Sequence, residues 1–318
     1  MADILLIVFP IFALIGLGYG VVIIGLVPQD VGAALSKFVF TIPLPLLLFR
    51  NLATNDLAGQ APWPLWGAYF PCLFAVWILG MILLAVVFKR EGKALAVAGI
   101  SAGFSNLVLL GIPMITGVYG EEALFPLLML LTVHLPAAML VSSILVEWYD
   151  REEGKALNVG AALLNVAKGL AANPIVVGIV AGGLWSLTGF GIPQVASVVI
   201  DKIVPVTVPL ALMSMGMGMR KYGLSGDILS GFLLALMKTM LLPALFLLIT
   251  STLIPLPTEW VAVILIGAAC PTGVNAYLLA EHFGVGHRVA ANTITLSVLL
   301  GLVTLPFWIS VSHQILGQ

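Results

Sequence analysis

Eight stretches of this chain run for at least 20 residues without Asp, Glu, Lys or Arg: 4–29, 57–88, 94–120, 123–146, 169–200, 239–258, 260–280 and 289–318. A helix needs about 20 apolar residues to cross roughly 30 Å of hydrocarbon. Inside lipid every backbone N–H and C=O must be bonded within the protein, and a helix achieves this within one segment. Only 8% of the 318 residues are charged, against about 25% in soluble domains. So few charges could not cover a soluble surface of this size. The fold class that follows is all-α and integral to the membrane, with little room for a soluble domain.

Cut at charges and at Pro/Gly turns, the apolar runs give ten transmembrane helices: 3–26, 31–53, 63–88, 94–118, 121–147, 173–189, 194–219, 226–253, 258–283 and 288–312. No Lys or Arg precedes the first run, which also exceeds the ~7–15-residue apolar region of a cleavable signal. It is expected to stay as a span. Asn173-Pro174 separates span 6 from "LNVGAALLNVAKGLAA" (157–172), which reads as an amphipathic helix lying in the interface. Lys89, Arg90 and Lys93 follow span 3, and Arg151, Lys155 and Lys168 follow span 5. Arg220 and Lys221 follow span 7, and Arg288 follows span 9. The even-numbered connections carry almost nothing positive beyond Arg50. Lys and Arg concentrate on the cytoplasmic side, so both termini are expected to face outward from a multi-pass protein of the cell (inner) membrane.

A net charge of −1 argues against nucleic acid as a partner. Cys72 and Cys270 lie in different spans and suggest no disulfide framework. There is no GxxxxGK[ST], no H-E-x-x-H and no cluster of Cys or His. No cofactor and no metal are therefore expected, and ATP-driven transport would need another subunit.

"TIPLPL" at 41–46 in span 2 recurs as "TVPLAL" at 207–212 in span 7. Each copy lies about ten residues before the end of its span. Spans 2 and 7 are equivalent if the chain is two halves of five spans, 1–150 and 151–318, the second beginning with the interfacial helix. Five is odd, so the second half enters the membrane upside down. Inverted repeats of this kind build secondary transporters, with the ligand near the midplane between repeats.

The repeat pairs span 4 with span 9, and both carry helix breakers near their midpoints. Span 4 contains Gly103, Ser105, Asn106, Gly111 and Pro113; span 9 contains Gly267, Pro271, Thr272, Gly273 and Asn275. Proline removes one helix hydrogen bond and obstructs another; the glycines permit unwinding. Irregular backbone at that depth survives only inside protein or beside a wet cavity. Two broken helices crossing there would present half-helix ends, and their N-termini favour an anion. Ser105, Asn106, Thr272 and Asn275 add neutral polar groups. The blander reading is a pair of kinks relieved by neighbouring helices.

"SNLVLLGIPMITGVYG" (105–120) and "AACPTGVNAYLLAEHFG" (268–284) resemble the two crossover segments of the auxin efflux carrier family, which includes bacterial carriers associated with malonate and other small carboxylates. "SKFVFTIPLPLLLFRNLA" (36–53) resembles its second span. The resemblance implies the fold of bile-acid sodium symporters: a scaffold of spans 1, 2, 6 and 7 and a moving core of spans 3–5 and 8–10. It implies substrate binding at the crossover, with Asn106, Pro113 and Pro271 at the motif positions. The long cytosolic loop of the plant carriers is absent here.

Lys238 lies near the middle of span 8, between uncharged stretches. An ionised group at that depth costs at least about 2.5–3.5 kcal/mol and must face protein or a cavity. It reads either as a fixed cation beside the substrate or as a structural donor to carbonyls freed by a broken helix. His134, at the middle of span 5, reads as a packing residue or as a proton carrier or substrate donor. Arg50 is expected to snorkel or to attract anions at an outer vestibule, and Asp201 and Lys202 to lie on a solvated face or neutralise each other rather than form a gate. Met213, Met215, Met217 and Met219 alternate with Gly216 and Gly218, a pattern of adaptable, close packing. No Asp or Glu lies near mid-depth, so a carboxylate proton relay is not expected. A sodium site would have to come from carbonyls with Ser105, Asn106, Thr272, Asn275, Asn292 or Thr293.

The function expected is secondary active transport of a small organic anion, a carboxylate such as malonate or an auxin-like acid, by elevator-type alternating access. H+ and Na+ are the candidate coupling ions, and a homodimer through the scaffold spans is the oligomer the layout allows. An anion channel or uniporter, or a receptor with a transporter fold, would share many of these features. An enzyme is not expected: no paired carboxylates, Ser/His/Asp set or metal ligands converge at one depth.

Overall fold

The computed structural model describes residues 2–54, 61–150 and 159–317. In chain order the helices are α1 (Ala2–Ile23), α2 (Gln29–Thr41), α3 (Pro43–Thr54), α4 (Trp63–Val86), α5 (Lys93–Gly103), α6 (Ile112–Tyr119), α7 (Phe125–Asp150) and α8 (Val159–Ala171). There follow α9 (Pro174–Leu187), α10 (Gln194–Ile203), α11 (Thr207–Tyr222), α12 (Ile228–Leu236), α13 (Leu242–Thr252), α14 (Thr258–Ala269), α15 (Asn275–Phe283) and α16 (His287–Ile315). Among the described residues there is no strand beyond one isolated bridge between Ser105 and Thr272. The protein is all-helical. Among the described residues, seven continuous or nearly continuous helical segments are long and apolar enough to span a bilayer: Ile4–Ile23, Gln29–Thr54, Trp63–Val86, Glu121–Tyr149, Gln194–Tyr222, Ile228–Thr252 and His287–Ile315. Four apolar helices are shorter: Lys93–Gly103, Leu107–Tyr119, Pro174–Leu187 and Thr258–Ala269. These fall in the regions expected as spans 4, 6 and 9. Arg151 and Lys155 lie outside the described residues.

Proline chemistry sets where the helices stop and bend. Before Pro113, residues Leu107–Gly111 form a π turn in which the Ile112 N–H bonds to the Leu107 carbonyl. Before Pro243, residues Met237–Leu241 do the same, with the Leu242 N–H on the Met237 carbonyl. In each case the widened turn sits just ahead of a ring that would clash with the carbonyl four residues back. Pro43 and Pro205 interrupt the long segments Gln29–Thr54 and Gln194–Tyr222: α2 ends two residues before Pro43, and a 3₁₀ turn at Val204–Val206 joins α10 to α11. Asn173 caps α9, its side-chain oxygen accepting the Ile175 N–H at 2.9 Å. Pro174 then occupies the first turn, where its missing N–H costs nothing.

Two groups of contacts organise the helices. In one, α1 and α2 pack on α11, and α3 packs on α9. In the other, α4 packs on α5, α5 on α7, α13 on α4 and α14, and α16 on α12 and α14. Small residues allow backbones to touch, as expected between membrane helices. A Cβ added to Gly216 would lie 1.9 Å from the Ile15 carbonyl oxygen, and one on Gly18 would lie 2.1 Å from that of Met213. The alternating Met/Gly stretch is therefore where α11 closes on α1.

Gly216→Ala should destabilise the protein by at least about 1–3 kcal/mol through overpacking against backbone. Gly218→Ala, two residues on, meets open space and should be near neutral. Thermal unfolding of the detergent-solubilised variants checks this; equal midpoints would show that α1 and α11 are not this close.

Candidate functional site

The helix of residues 93–103 stops where Phe104 turns extended, and the helix of 258–269 stops where Cys270 does the same. The two extended segments then pair with each other. The Asn106 N–H donates to the Pro271 carbonyl at 2.8 Å, and the Gly273 N–H donates to the Phe104 carbonyl at 3.0 Å. Ser105 and Thr272 face each other between these bonds as an antiparallel bridge. Each break thus supplies partners for backbone groups that the other has freed. A Cβ on Gly273 would sit 2.6 Å from the Phe104 ring, so this glycine permits the approach.

Side chains tie the crossing to its surroundings. Thr272 is fully buried; its hydroxyl donates to the Ser101 carbonyl at 2.7 Å, and its N–H donates to Ser297 Oγ at 3.0 Å. The Ser105 hydroxyl lies 3.2 Å from the Tyr69 hydroxyl. Asn106 Oδ1 caps the following turn by accepting the Leu109 N–H at 3.2 Å, while Nδ2 lies 3.6 Å from Met215 Sδ. His134, 1% exposed, stacks on Phe104 with ring centres 4.4 Å apart. Its Nε2 lies 3.3 Å from the Ser105 carbonyl, and its Nδ1 has no hydrogen-bond partner among the described residues.

Beside the crossing is a cavity of about 390 Å³ whose walls include Ser105, Asn106, His134, Asn173, Val274 and Asn275. None of its lining residues among those described is Asp, Glu, Lys or Arg. Two further cavities adjoin it. One of about 590 Å³ shares Leu135, Asn275 and Leu278 and extends to Glu147 and His282. The other, about 380 Å³, shares Phe40, Val274 and Leu278 and extends to Lys221 and Tyr222. The segment Leu107–Tyr119 and α15 both begin at the central cavity, as does α9. First-turn N–H groups have no preceding helix carbonyl, and the helix dipole makes these ends electropositive.

Of the substrate-binding residues expected from the sequence, Ser105, Asn106, His134 and Asn275 line this cavity. Thr272 supports the crossing from behind. Pro113 lies in α6, past the π turn, and is not in the cavity wall. Lys238 is fully buried, on the π turn of the eighth span, and donates to the Ala268 carbonyl at 2.6 Å. It too is absent from the cavity wall. Among the helix-break residues, Gly103 ends α5, and Pro271 and Gly273 lie in the second break. Gly111 and Gly267 differ from expectation: both are helical, because unwinding is confined to the residues that pair. Arg50 bonds to Glu121 and, at 3.0 Å, to Asp201, so Asp201 neutralises Arg50 rather than Lys202. Tyr69, Phe104 and Asn173 were not anticipated. Asn173 carried a signal, as a cap at a helix start; Tyr69 and Phe104 carried none, being ordinary residues of apolar spans.

The sequence profile of the family described as "Membrane transport protein" matches residues 3–309. A protein of Rhizobium meliloti named "Putative malonate transporter" is 24% identical over 309 residues, covering 96% of this chain and 94% of its own length. An uncharacterized transporter of Methanocaldococcus jannaschii is 22% identical over 309 residues, covering 95% and 96%. An uncharacterized transporter of Escherichia coli K12 is 24% identical over 305 residues, covering 90% of each chain.

Gly273→Ala should cost about 1–3 kcal/mol, because the displaced Phe104 ring is wedged against His134. Gly111→Ala, whose added Cβ would have no neighbour nearer than 3.6 Å, should be tolerated. Thermal midpoints of the two variants test whether the crossing is packed as described; the reverse order would contradict it.

Proposed function

The chain belongs to the membrane transport protein family, the family of the auxin efflux carriers, and we propose that within it this protein is a secondary transporter of a small carboxylate such as malonate. It is a transporter and not an enzyme. The observation that carries the reading is the paired break at Ser105 and Thr272 beside a cavity holding Asn106, Asn275 and half-helix N-termini. A carboxylate binds there on amide N–H groups and first-turn backbone N–H groups, where the dipoles favour negative charge. Lys238 is committed to the Ala268 carbonyl, so countercharge at the substrate falls to these helix ends. The name of the Rhizobium meliloti relative supports malonate as the first probe.

The topology proposed is ten spans in two inverted halves of five, with spans 4, 6 and 9 the shorter helices. Three features support it. The breaks in spans 4 and 9 meet; spans 2 and 7 are both interrupted at a proline; and partners exchange between halves, span 1 packing on span 7 and span 6 on span 2. That exchange supports a scaffold of spans 1, 2, 6 and 7, against which spans 3–5 and 8–10 move as an elevator. The distribution of Lys and Arg supports termini facing outward from the inner membrane.

Counterflow of labelled malonate in proteoliposomes tests the function. Asn106→Ala and Asn275→Ala should each reduce uptake at least tenfold, the weight of one good charge-assisted hydrogen bond. Asn106→Ala should lower stability by only about 1 kcal/mol, the loss of its cap. Unchanged uptake in both folded variants would remove the crossing as the binding site.

A further inference from the structure

The crossing site holds two kinds of hydrogen-bonding group, and they ask for different things from a ligand. Asn106 Oδ1 is spent on the Leu109 N–H and Asn173 Oδ1 on the Ile175 N–H. Asn106 then keeps one amide N–H for a ligand beyond its bond to Met215 Sδ, Asn173 keeps its NH₂, and the helix ends add further N–H donors. His134 is the opposite case. Its Nε2 faces a backbone carbonyl, which only accepts, so Nε2 carries the ring hydrogen. Nδ1 is then a bare lone pair, buried and without a partner among the described residues. A doubly protonated ring would leave a second buried N–H with no acceptor, a costly state.

The charges around the ring complete the argument. From α4, Tyr69 presents its ring edge at 5.7 Å, its hydroxyl on Ser105 Oγ. From the crossing come Phe104 and the Ser105 carbonyl. From the eighth span comes Lys238, its amine on the Ala268 carbonyl. Among the described residues no charged side chain lines the cavity itself. A ligand with two ionised carboxylates would bury its second charge with neutral amides alone, and unpaired buried charge is strongly disfavoured. An ionised carboxylate would also meet the Nδ1 lone pair with like polarity.

We infer that the site takes its acid singly charged, with one carboxylate on the half-helix ends and asparagine amides and one undissociated carboxyl whose O–H donates to His134 Nδ1. This rests on the carboxylate reading above and adds the protonation state of the substrate. The proton stays on the acid throughout, so no protein group titrates in the cycle. Each malonate carried would bring one proton and one net negative charge.

Uptake by the wild-type protein in proteoliposomes, from about pH 5 to about pH 8, tests this with three probes. Malonate loses its monoanion above its second ionisation, so its apparent KM should rise about tenfold per pH unit there. Malonamate is a permanent monoanion with an amide N–H in place of the acid O–H; its KM should stay flat. Monomethyl malonate is a permanent monoanion without that donor, and should bind about tenfold more weakly than malonamate. In His134→Phe the preference for malonamate over the methyl ester should fall to about one; the wild-type series stands alone if that variant does not fold. A malonate KM that is flat across the range, or equal KM values for the two monoanions, overturns the inference and leaves carboxylate transport intact. Absence of flux for all three overturns both.

Discussion

Everything at the centre of this protein depends on one requirement: backbone groups freed inside a membrane must find partners within the protein. The chain breaks two helices and lets the breaks serve each other. Asn106 N–H meets the Pro271 carbonyl and Gly273 N–H meets the Phe104 carbonyl. The remaining polar groups are handled nearby: Thr272 is bound by Ser101 and Ser297, and the Ala268 carbonyl, in the last turn of α14, takes the Lys238 amine. A cation at a helix C-terminus also suits the dipole. Once the breaks are stable, the half-helices beyond them begin at the cavity with electropositive ends.

The polar ties at the ends of the helices are of another kind. Arg50 joins Glu121 and Asp201, and Lys221 bonds Glu281 at 2.8 Å while lying over the Tyr277 ring. These groups are partly exposed, and such pairs are worth little individually, about 0–1 kcal/mol. Weak contacts between the two groups of helices are compatible with relative motion; the dense, fully buried bonding lies at the crossing.

Much of the architecture was legible in the sequence because membrane insertion leaves a coarse record. Uncharged runs located the helices, and Gly, Asn and Pro in the fourth and ninth regions located the breaks. The finer assignments depended on tertiary contacts. Gly111 and Gly267 looked like break points, yet remain helical, since the residues that unwind are those with a partner strand opposite. Lys238 had two readings from sequence; in the structure its amine donates to the Ala268 carbonyl, a contact with no trace in the sequence. The stack of Phe104 on His134 and the hydroxyl contact of Tyr69 with Ser105 leave no periodic or compositional trace.

The crossing itself can be measured without knowing the substrate. Ser105 and Thr272 are opposed between two flanking backbone bonds, the narrow kind of antiparallel pair, with Cα atoms about 4.5 Å apart. That lies within the range a disulfide bridges. In a background with Cys72 and Cys270 replaced by alanine, the double variant Ser105→Cys/Thr272→Cys is treated with a membrane-permeant oxidant, and free thiols are counted after denaturation. The account predicts near-complete loss of both thiols in the double variant and retention in each single one. Two free thiols persisting in a folded, fully oxidised sample would contradict the pairing of the two broken helices.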